Sequence, residues 1–178
     1  MLKTLLHIAR DGLVSETAPA LDPALRTTTQ ALDARTRALF GRALNVRHVD
    51  AGSCNGCELE LHAIDNPVYN VAELGIRFVA SPRHADLLLV TGPVARHMVT
   101  ALRRTYDAMP GPKRVVALGD CGCDGGIFGC SYASVGPVSA VLPVDAVVPG
   151  CPPSPTRILQ GILAALTQGD GGSGQALA

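Results

Sequence analysis

Tryptophan is absent from the 178-residue sequence, and aromatic residues make up only 3% of it. A core without rings has to be built from aliphatic side chains, which the abundant Ala, Val and Leu supply. Net charge is missing too, because 15 basic residues balance 15 acidic ones. That balance excludes the basic footprint of a nucleic-acid binder and the acidic excess of a solvating chain, so no nucleic-acid partner is expected. No apolar run approaches the roughly 20 residues of a membrane-crossing helix; Leu87 to Val90 is typical of those present. The first residues also lack the apolar run and cleavage site of a secretory leader. A reducing compartment is therefore expected, and the six cysteines do not read as a disulfide scaffold.

What is present suits one compact α/β domain: 47% hydrophobic residues, with 19 glycines that permit close backbone approaches. From Val46 onward, short aliphatic runs alternate with helical stretches. The runs are Val46–Val49, Arg77–Ala80, Leu87–Val90, Val115–Leu118 and Ala146–Val148, and they predict five strands. Helices are expected over Glu58–Ile64, Pro67–Leu74 after Asn66, Val94–Met109, and Thr156–Leu166 after the Ser154-Pro155 pair. Such alternation predicts a mainly parallel sheet with helices on both faces. Ligands in that architecture gather beyond the C-terminal strand ends.

Three segments are expected: an arm over 1–45, a folded domain over 46–168 and a Gly-rich, disordered tail over 169–178. The arm carries a Ser/Thr/Ala/Pro-rich stretch from Ser15 to Thr29 between two helical patterns. In the first pattern Leu2, Leu5, Leu6, Ala9 and Leu13 share a face, with Lys3, His7 and Arg10 opposite. A basic amphipathic helix of this kind can lie on a membrane or a partner, or cap its own domain. In the second, Leu25, Leu32, Leu39 and Phe40 recur before Gly41.

Three predicted strand ends run into cysteine motifs. The first strand leads to Cys54-Asn55-Gly56-Cys57, the fourth to Gly119-Asp120-Cys121-Gly122-Cys123, and the fifth to Pro149-Gly150-Cys151-Pro152-Pro153. Loops from one rim of a parallel sheet can converge, and four thiolates make the soft cage that a cubane iron–sulfur cluster or zinc accepts. Gly52, Gly56, Gly119, Gly122, Gly125, Gly126 and Gly150 surround the cysteines and let backbone N–H groups approach the bridging sulfides of a cluster, which is anionic once the thiolates are bound. One close pair joined by two distant single cysteines favours a cluster, since zinc sites usually combine two close pairs. Cys123 is a rival ligand to Cys121, and Cys130 reads as a buried thiol.

With these residues in hand, the chain resembles the electron-transferring small subunits of [NiFe] hydrogenases and the 20 kDa (B) subunit of respiratory complex I. Within that family it looks most like the small subunit of formate-hydrogenlyase-type, membrane-bound hydrogenases. The resemblance spans about residues 46–167. It rests on Cys54-Asn55-Gly56-Cys57-Glu58-Leu59-Glu60, on Ser81-Pro82-Arg83-His84-Ala85-Asp86, on Gly119-Asp120-Cys121 with Gly125-Gly126-Ile127-Phe128, and on Val144-Asp145 through Pro149-Gly150-Cys151-Pro152-Pro153. It implies a flavodoxin-like fold and one [4Fe-4S] cluster on Cys54, Cys57, Cys121 and Cys151.

The resemblance also implies a [NiFe]-type large subunit, a ferredoxin-like iron–sulfur subunit and membrane subunits as partners. The chain would then sit peripherally on the cytoplasmic face of the inner membrane and act as a subunit of an oxidoreductase, without catalysis of its own. Complex I subunits place two cysteines side by side, so the Cys54-x-x-Cys57 spacing favours the hydrogenase branch. A complex I-like quinone oxidoreductase and a zinc-stabilised assembly subunit remain as alternatives.

Glu58, Glu60, Asp120 and Asp124 are candidates to set the charge around a cluster or to handle protons. The ordinary alternative is a surface or helix-terminal carboxylate. Arg83 and His84, before the third strand, could contact a partner or a quinone-like group, although loop residues of this kind are commonly only solvated.

Overall fold

The computed structural model describes residues 2–12 and 23–167. The polar tail expected from Gly169, Leu13, and the first half of the stretch from Ser15 to Thr29 lie outside the described residues.

Five parallel strands form the main sheet: β1 (Leu44–Asp50), β2 (Ile76–Phe78), β3 (Leu87–Thr91), β5 (Arg114–Leu118) and β7 (Ala146–Val148). Their spatial order is β2-β1-β3-β5-β7, which is the doubly wound, flavodoxin-like order once the strands outside this sheet are skipped. A separate antiparallel pair, β4 (Val94–Ala95) with β6 (Ser134–Gly136), sits beyond the end of β3. All five predicted strands are present, and the small pair is additional.

The sheet is central because its strands are apolar on both faces. Every residue of β3 is buried. Leu87, Leu89, Val116 and Leu118 point into one core layer, whereas Leu88, Val90, Val115 and Ala117 point into the other. This two-residue alternation distributes side chains to opposite faces, as a pleated strand requires. The first layer is closed by α2 (Pro23–Phe40), α3 (Gly56–Ile64) and α6 (Pro155–Thr167). Helix α6 supplies Ile158, Leu159, Ile162, Ala165 and Leu166, a helical-period stripe that is fully buried. The second layer is closed by Leu102 of α4 (Val99–Asp107) with Met109, Val138 and Leu142.

Part of the segment expected as an arm packs on the domain. Leu25 and Leu32 of α2 are core residues, and the Arg35 guanidinium donates to the Leu166 carbonyl at 3.1 Å, in the last turn of α6. The first helix, α1 (Leu2–Asp11), keeps its large apolar residues exposed.

Two expected helices differ. No helix forms over Pro67–Leu74; the segment is a run of turns. The Asn66 side chain accepts the Val68 and Tyr69 N–H groups at 2.8 and 3.1 Å and opens a turn. Asn70 then adopts φ +43°, and the turn cannot propagate as a right-handed helix. The helix expected from Val94 starts only at Val99. Ala95 N–H donates to the Ala51 carbonyl and Arg96 N–H to the Ala133 carbonyl, both at 2.8 Å, so these residues tie down neighbouring loops instead.

Candidate metal centre

The strand order brings the C-terminal ends of β1, β5 and β7 to one rim, and each end releases a cysteine loop. After β1, the Asp50 carboxylate accepts the Gly52 and Ser53 N–H groups at 2.8 and 2.7 Å, which curls the chain back. Asn55, at φ +73°, completes the turn and α3 starts immediately, with Cys57 in its first turn. After β5, Gly119 at φ +79° admits a short helix, α5 (Gly119–Cys123), that carries Cys121. The third loop is stapled to the second: Asp120 N–H donates to the Gly150 carbonyl at 3.0 Å, and Gly150 N–H donates to the Asp120 carboxylate at 2.6 Å. Asp120 thus fixes the position of Cys151 relative to Cys121. Asp124 similarly accepts the Gly126 N–H at 2.7 Å.

Cys54, Cys57, Cys121 and Cys151 line one cavity of about 160 Å³, together with Ser53, Gly92 and Pro152. Cys57 is buried, Cys121 half-buried, and Cys54 and Cys151 exposed at the rim. Neither Cys123 nor Cys130 lines it. Cys123 turns toward the Ala117 carbonyl at 3.8 Å, and Cys130, expected as a buried thiol, is exposed. Among the described residues, no three His, Cys, Asp or Glu side chains are arranged around a single metal ion.

Glycine keeps the cavity open. A Cβ on Gly119 would stand 2.6 Å from the Cys57 Sγ, and one on Gly126 would stand 2.9 Å from the Cys121 Sγ. Both are closer than real Cβ atoms come, so any side chain there would displace a thiol.

Two of the four thiols, Cys57 and Cys121, have raised pKa values. Cys57 is pushed up to about 12, first by burial and then by Glu58, Cys54, Cys121 and Cys151. Cys121 is shifted up by burial and by Cys151 and Cys54. Burial, with the neighbouring thiols adding to it, therefore disfavours ionisation of Cys57 and Cys121 unless positive charge is supplied beside them. The donor set and the glycine cradle therefore fit a bulky cationic metal group of soft-ligand type. Cys123 is raised to about 11 chiefly by burial, as for an ordinary tucked-away thiol.

Glu58, one of the candidate carboxylates, stands in the first turn of α3. It is only 8% exposed and is no surface carboxylate. Its Oε2 accepts from the Ser53 hydroxyl at 2.6 Å, and its Oε1 accepts from the Thr91 hydroxyl. The Thr91 oxygen in turn lies 2.9 Å from His48 Nε2. Burial lowers the His48 pKa against the opposing pull of Glu58, which favours a neutral ring donating from Nε2 to Thr91. The signal was available, since Cys57, Glu58, Leu61 and Ile64 fall on one buried helical stripe. This network connects the thiol cavity, through Ser53, to a second cavity of about 490 Å³ that Glu58, His48 and His62 line. The second cavity is open because β2 pairs only with Leu44–Val46, leaving the rest of that edge of β1 uncovered.

The other candidates lie apart. Glu60 is half-buried, and Arg83 and His84 are exposed in a 3₁₀ turn (Pro82–His84) before β3, at the opposite end of that strand from the cysteines. Asp86, next in that motif, is 3% exposed and structural. Its carboxylate takes a bidentate pair from Arg42 at 2.7 and 2.9 Å and the Asn45 N–H at 3.0 Å. Among the described residues, no helix is long and apolar enough to cross a membrane.

The chain is similar to several known proteins. It is 45% identical over 127 residues to a probable membrane-bound hydrogenase subunit, mbhJ, of Pyrococcus furiosus, covering 71% of this chain and 76% of that protein. It is 44% identical to formate hydrogenlyase subunit 7 of Escherichia coli over 70% of this chain, but spans only 49% of that longer protein. It is 42% identical to the B-type subunit of the NADH-quinone oxidoreductase of Desulfovibrio desulfuricans, over 70% of this chain and 67% of that protein. A chain of the archaeal membrane-bound sulfane sulfur reductase superposes with a TM-score of 0.63 at 29% identity, covering 79% of this chain and 75% of that one. A chain of an NAD⁺-reducing [NiFe]-hydrogenase shares the fold, with a TM-score of 0.50. These relatives are subunits of oxidoreductase complexes. The family model for the NADH ubiquinone oxidoreductase 20 kDa subunit matches residues 54–165, from the first cysteine of the cavity into α6, and the chain belongs to that family.

Proposed function

We propose that Cys54, Cys57, Cys121 and Cys151 hold a single [4Fe-4S] cluster, and that this subunit relays electrons for a [NiFe]-type large subunit in a membrane-associated hydrogenase complex. The observation that carries the reading is the meeting of four thiols, from three separate strand-end loops, in one cavity kept clear by glycine. When bound, the cluster supplies one-electron transfer. The chain's own part is to hold the four sulfurs in place, through the Asp50 turn and the Asp120–Gly150 staple, and to set the charge nearby. Glu58 contributes a buried carboxylate beside Cys57, locked by two hydroxyl donors. Pro152, which has no N–H, covers one side of the cavity.

Exposed apolar residues support a partner on this side of the protein. Ile127, Phe128 and Tyr132 are 94%, 51% and 96% exposed, on the segment that follows Gly126 beside Cys121. Large apolar side chains left exposed so close together in sequence suit a docking segment, and we assign it to the large subunit. A ferredoxin-like iron–sulfur subunit would then complete the relay, with the complex held at the cytoplasmic face of the inner membrane.

The hydrogenase assignment rests on the Cys54-x-x-Cys57 spacing and on similarity to two hydrogenase-complex subunits. Isolating the native complex and sequencing its large subunit tests it. Two C-x-x-C pairs able to bind nickel are expected; their loss would move the chain to the quinone-reducing branch.

A further inference from the structure

Helix α1 lies outside residues 54–165, the span of the family match, so the relay does not account for it. Its Leu2, Leu5, Leu6 and Ile8 are between 56% and 75% exposed, although a leucine or isoleucine on a soluble domain normally finds cover. Leu2, Leu5, Leu6 and Ala9 follow the i, i+3, i+4, i+7 pattern and make one stripe. Lys3 and Arg10 flank the stripe on the side of Leu6, and His7 lies farther round toward the opposite face. The helix holds no acidic residue before Asp11 at its end. Ten residues are too few to cross a bilayer, but they suffice to lie in its surface.

We infer that α1 is an interfacial anchor that inserts Leu2, Leu5, Leu6 and Ile8 into the headgroup boundary of an anionic lipid membrane. Charge complementarity selects lipid over a protein groove. Cations at the border of an apolar stripe can stretch toward phosphate headgroups while their stems cover the acyl boundary. Within α1 the cations Lys3 and Arg10, with His7, outnumber the single carboxylate of Asp11, and this positive excess suits a negatively charged surface. One short helix gives reversible binding, and it would act together with the other subunits of the complex. The inference deepens the membrane-associated placement proposed above, but its test needs neither cluster nor partner.

The test is co-sedimentation of the full chain with vesicles of phosphatidylcholine alone and of phosphatidylcholine with about 30% phosphatidylglycerol, at low and raised salt. Binding to the anionic vesicles is expected, weakened several-fold by salt and lost by about tenfold or more in a Leu5→Glu/Leu6→Glu variant. A Lys3→Gln/Arg10→Gln variant should lose the preference for anionic over neutral lipid. Because those leucines are exposed, the Leu5→Glu/Leu6→Glu variant should melt with the parent and take up the same iron, which separates this result from failure of the cluster reading. Equal binding of parent and Leu5→Glu/Leu6→Glu overturns the inference. So does an absence of vesicle binding, including the case in which the same variant releases a partner subunit and thereby identifies α1 as a protein-docking helix.

Discussion

Gly119→Ala tests whether the cavity has to stay open beside Cys57. The residue sits at φ +79°, where an L side chain costs about 1–2 kcal/mol. Its Cβ would also lie 2.6 Å from the Cys57 Sγ and 3.4 Å from the Gly150 carbonyl oxygen. Cys57 is only 8% exposed and is held in the first turn of α3, so its thiol can yield only by leaving its place in the cavity. Overpacking adds about 1–3 kcal/mol, giving a total loss of about 2–5 kcal/mol in the protein before metal loading. Gly129→Ala is the control: φ there is +50° and nothing lies within 4 Å of an added Cβ, so the conformational strain is present without the collision. Denaturant melts would report stability, and iron and acid-labile sulfide per chain after anaerobic reconstitution would report cluster assembly. Gly129→Ala should keep near-parental iron, whereas Gly119→Ala should fall to a small fraction of it. Equal cluster content in the two variants would refute the reasoning.

Four further outcomes follow from the same geometry. Cys54→Ser or Cys151→Ser should lose or convert the cluster, while Cys123→Ser and Cys130→Ser should retain it, as read by the visible spectrum of reconstituted protein. Glu58→Gln removes a buried negative charge without changing shape, so the cluster should assemble with its reduction potential raised by on the order of tens of mV in a redox titration. Asp86→Ala removes a buried carboxylate and leaves the Arg42 guanidinium and the Asn45 N–H without their acceptor. With Arg42 half exposed, about 2 kcal/mol should be lost, or roughly 4–8 °C in Tm by calorimetry. The pH response has a definite sign. The Cys57 thiol is raised from 9.0 to about 12, so before metal loading its contribution to stability is complete below pH 9 and is lost as pH climbs toward 12. Metal capture runs the other way, because the ligands must shed protons. Fe²⁺ affinity in a chelator competition should rise from about pH 7 to pH 9, and a flat profile would contradict the crowded-thiol account.

The sheet was legible in the sequence because each strand is a short aliphatic run buried on both faces, as Leu87–Val90 shows. The convergence of the cysteine loops followed from the same pattern, since a parallel sheet carries the ends of β1, β5 and β7 to one rim. Local backbone chemistry was less legible. Asn66 and Asn70 turn Pro67–Leu74 away from a helix through side-chain hydrogen bonding and a left-handed φ, which an apolar-periodicity reading overlooks. Val94–Ala95 is taken by a tertiary pairing with Ser134–Gly136, about 40 residues away, and no local propensity encodes that choice. The burial of Glu58 is hard to read locally, because acidic residues are ordinarily exposed. Its burial depends on Ser53, in the loop after β1, and on Thr91, at the end of β3.

The most direct test of the central claim is metal and sulfide analysis of anaerobically reconstituted protein, with an electron paramagnetic resonance spectrum before and after dithionite reduction. The account predicts about four iron and four sulfide per chain, and a signal that appears on reduction and is lost with Cys54→Ser or Cys151→Ser. One tightly held zinc per chain, with no reducible chromophore, would contradict it.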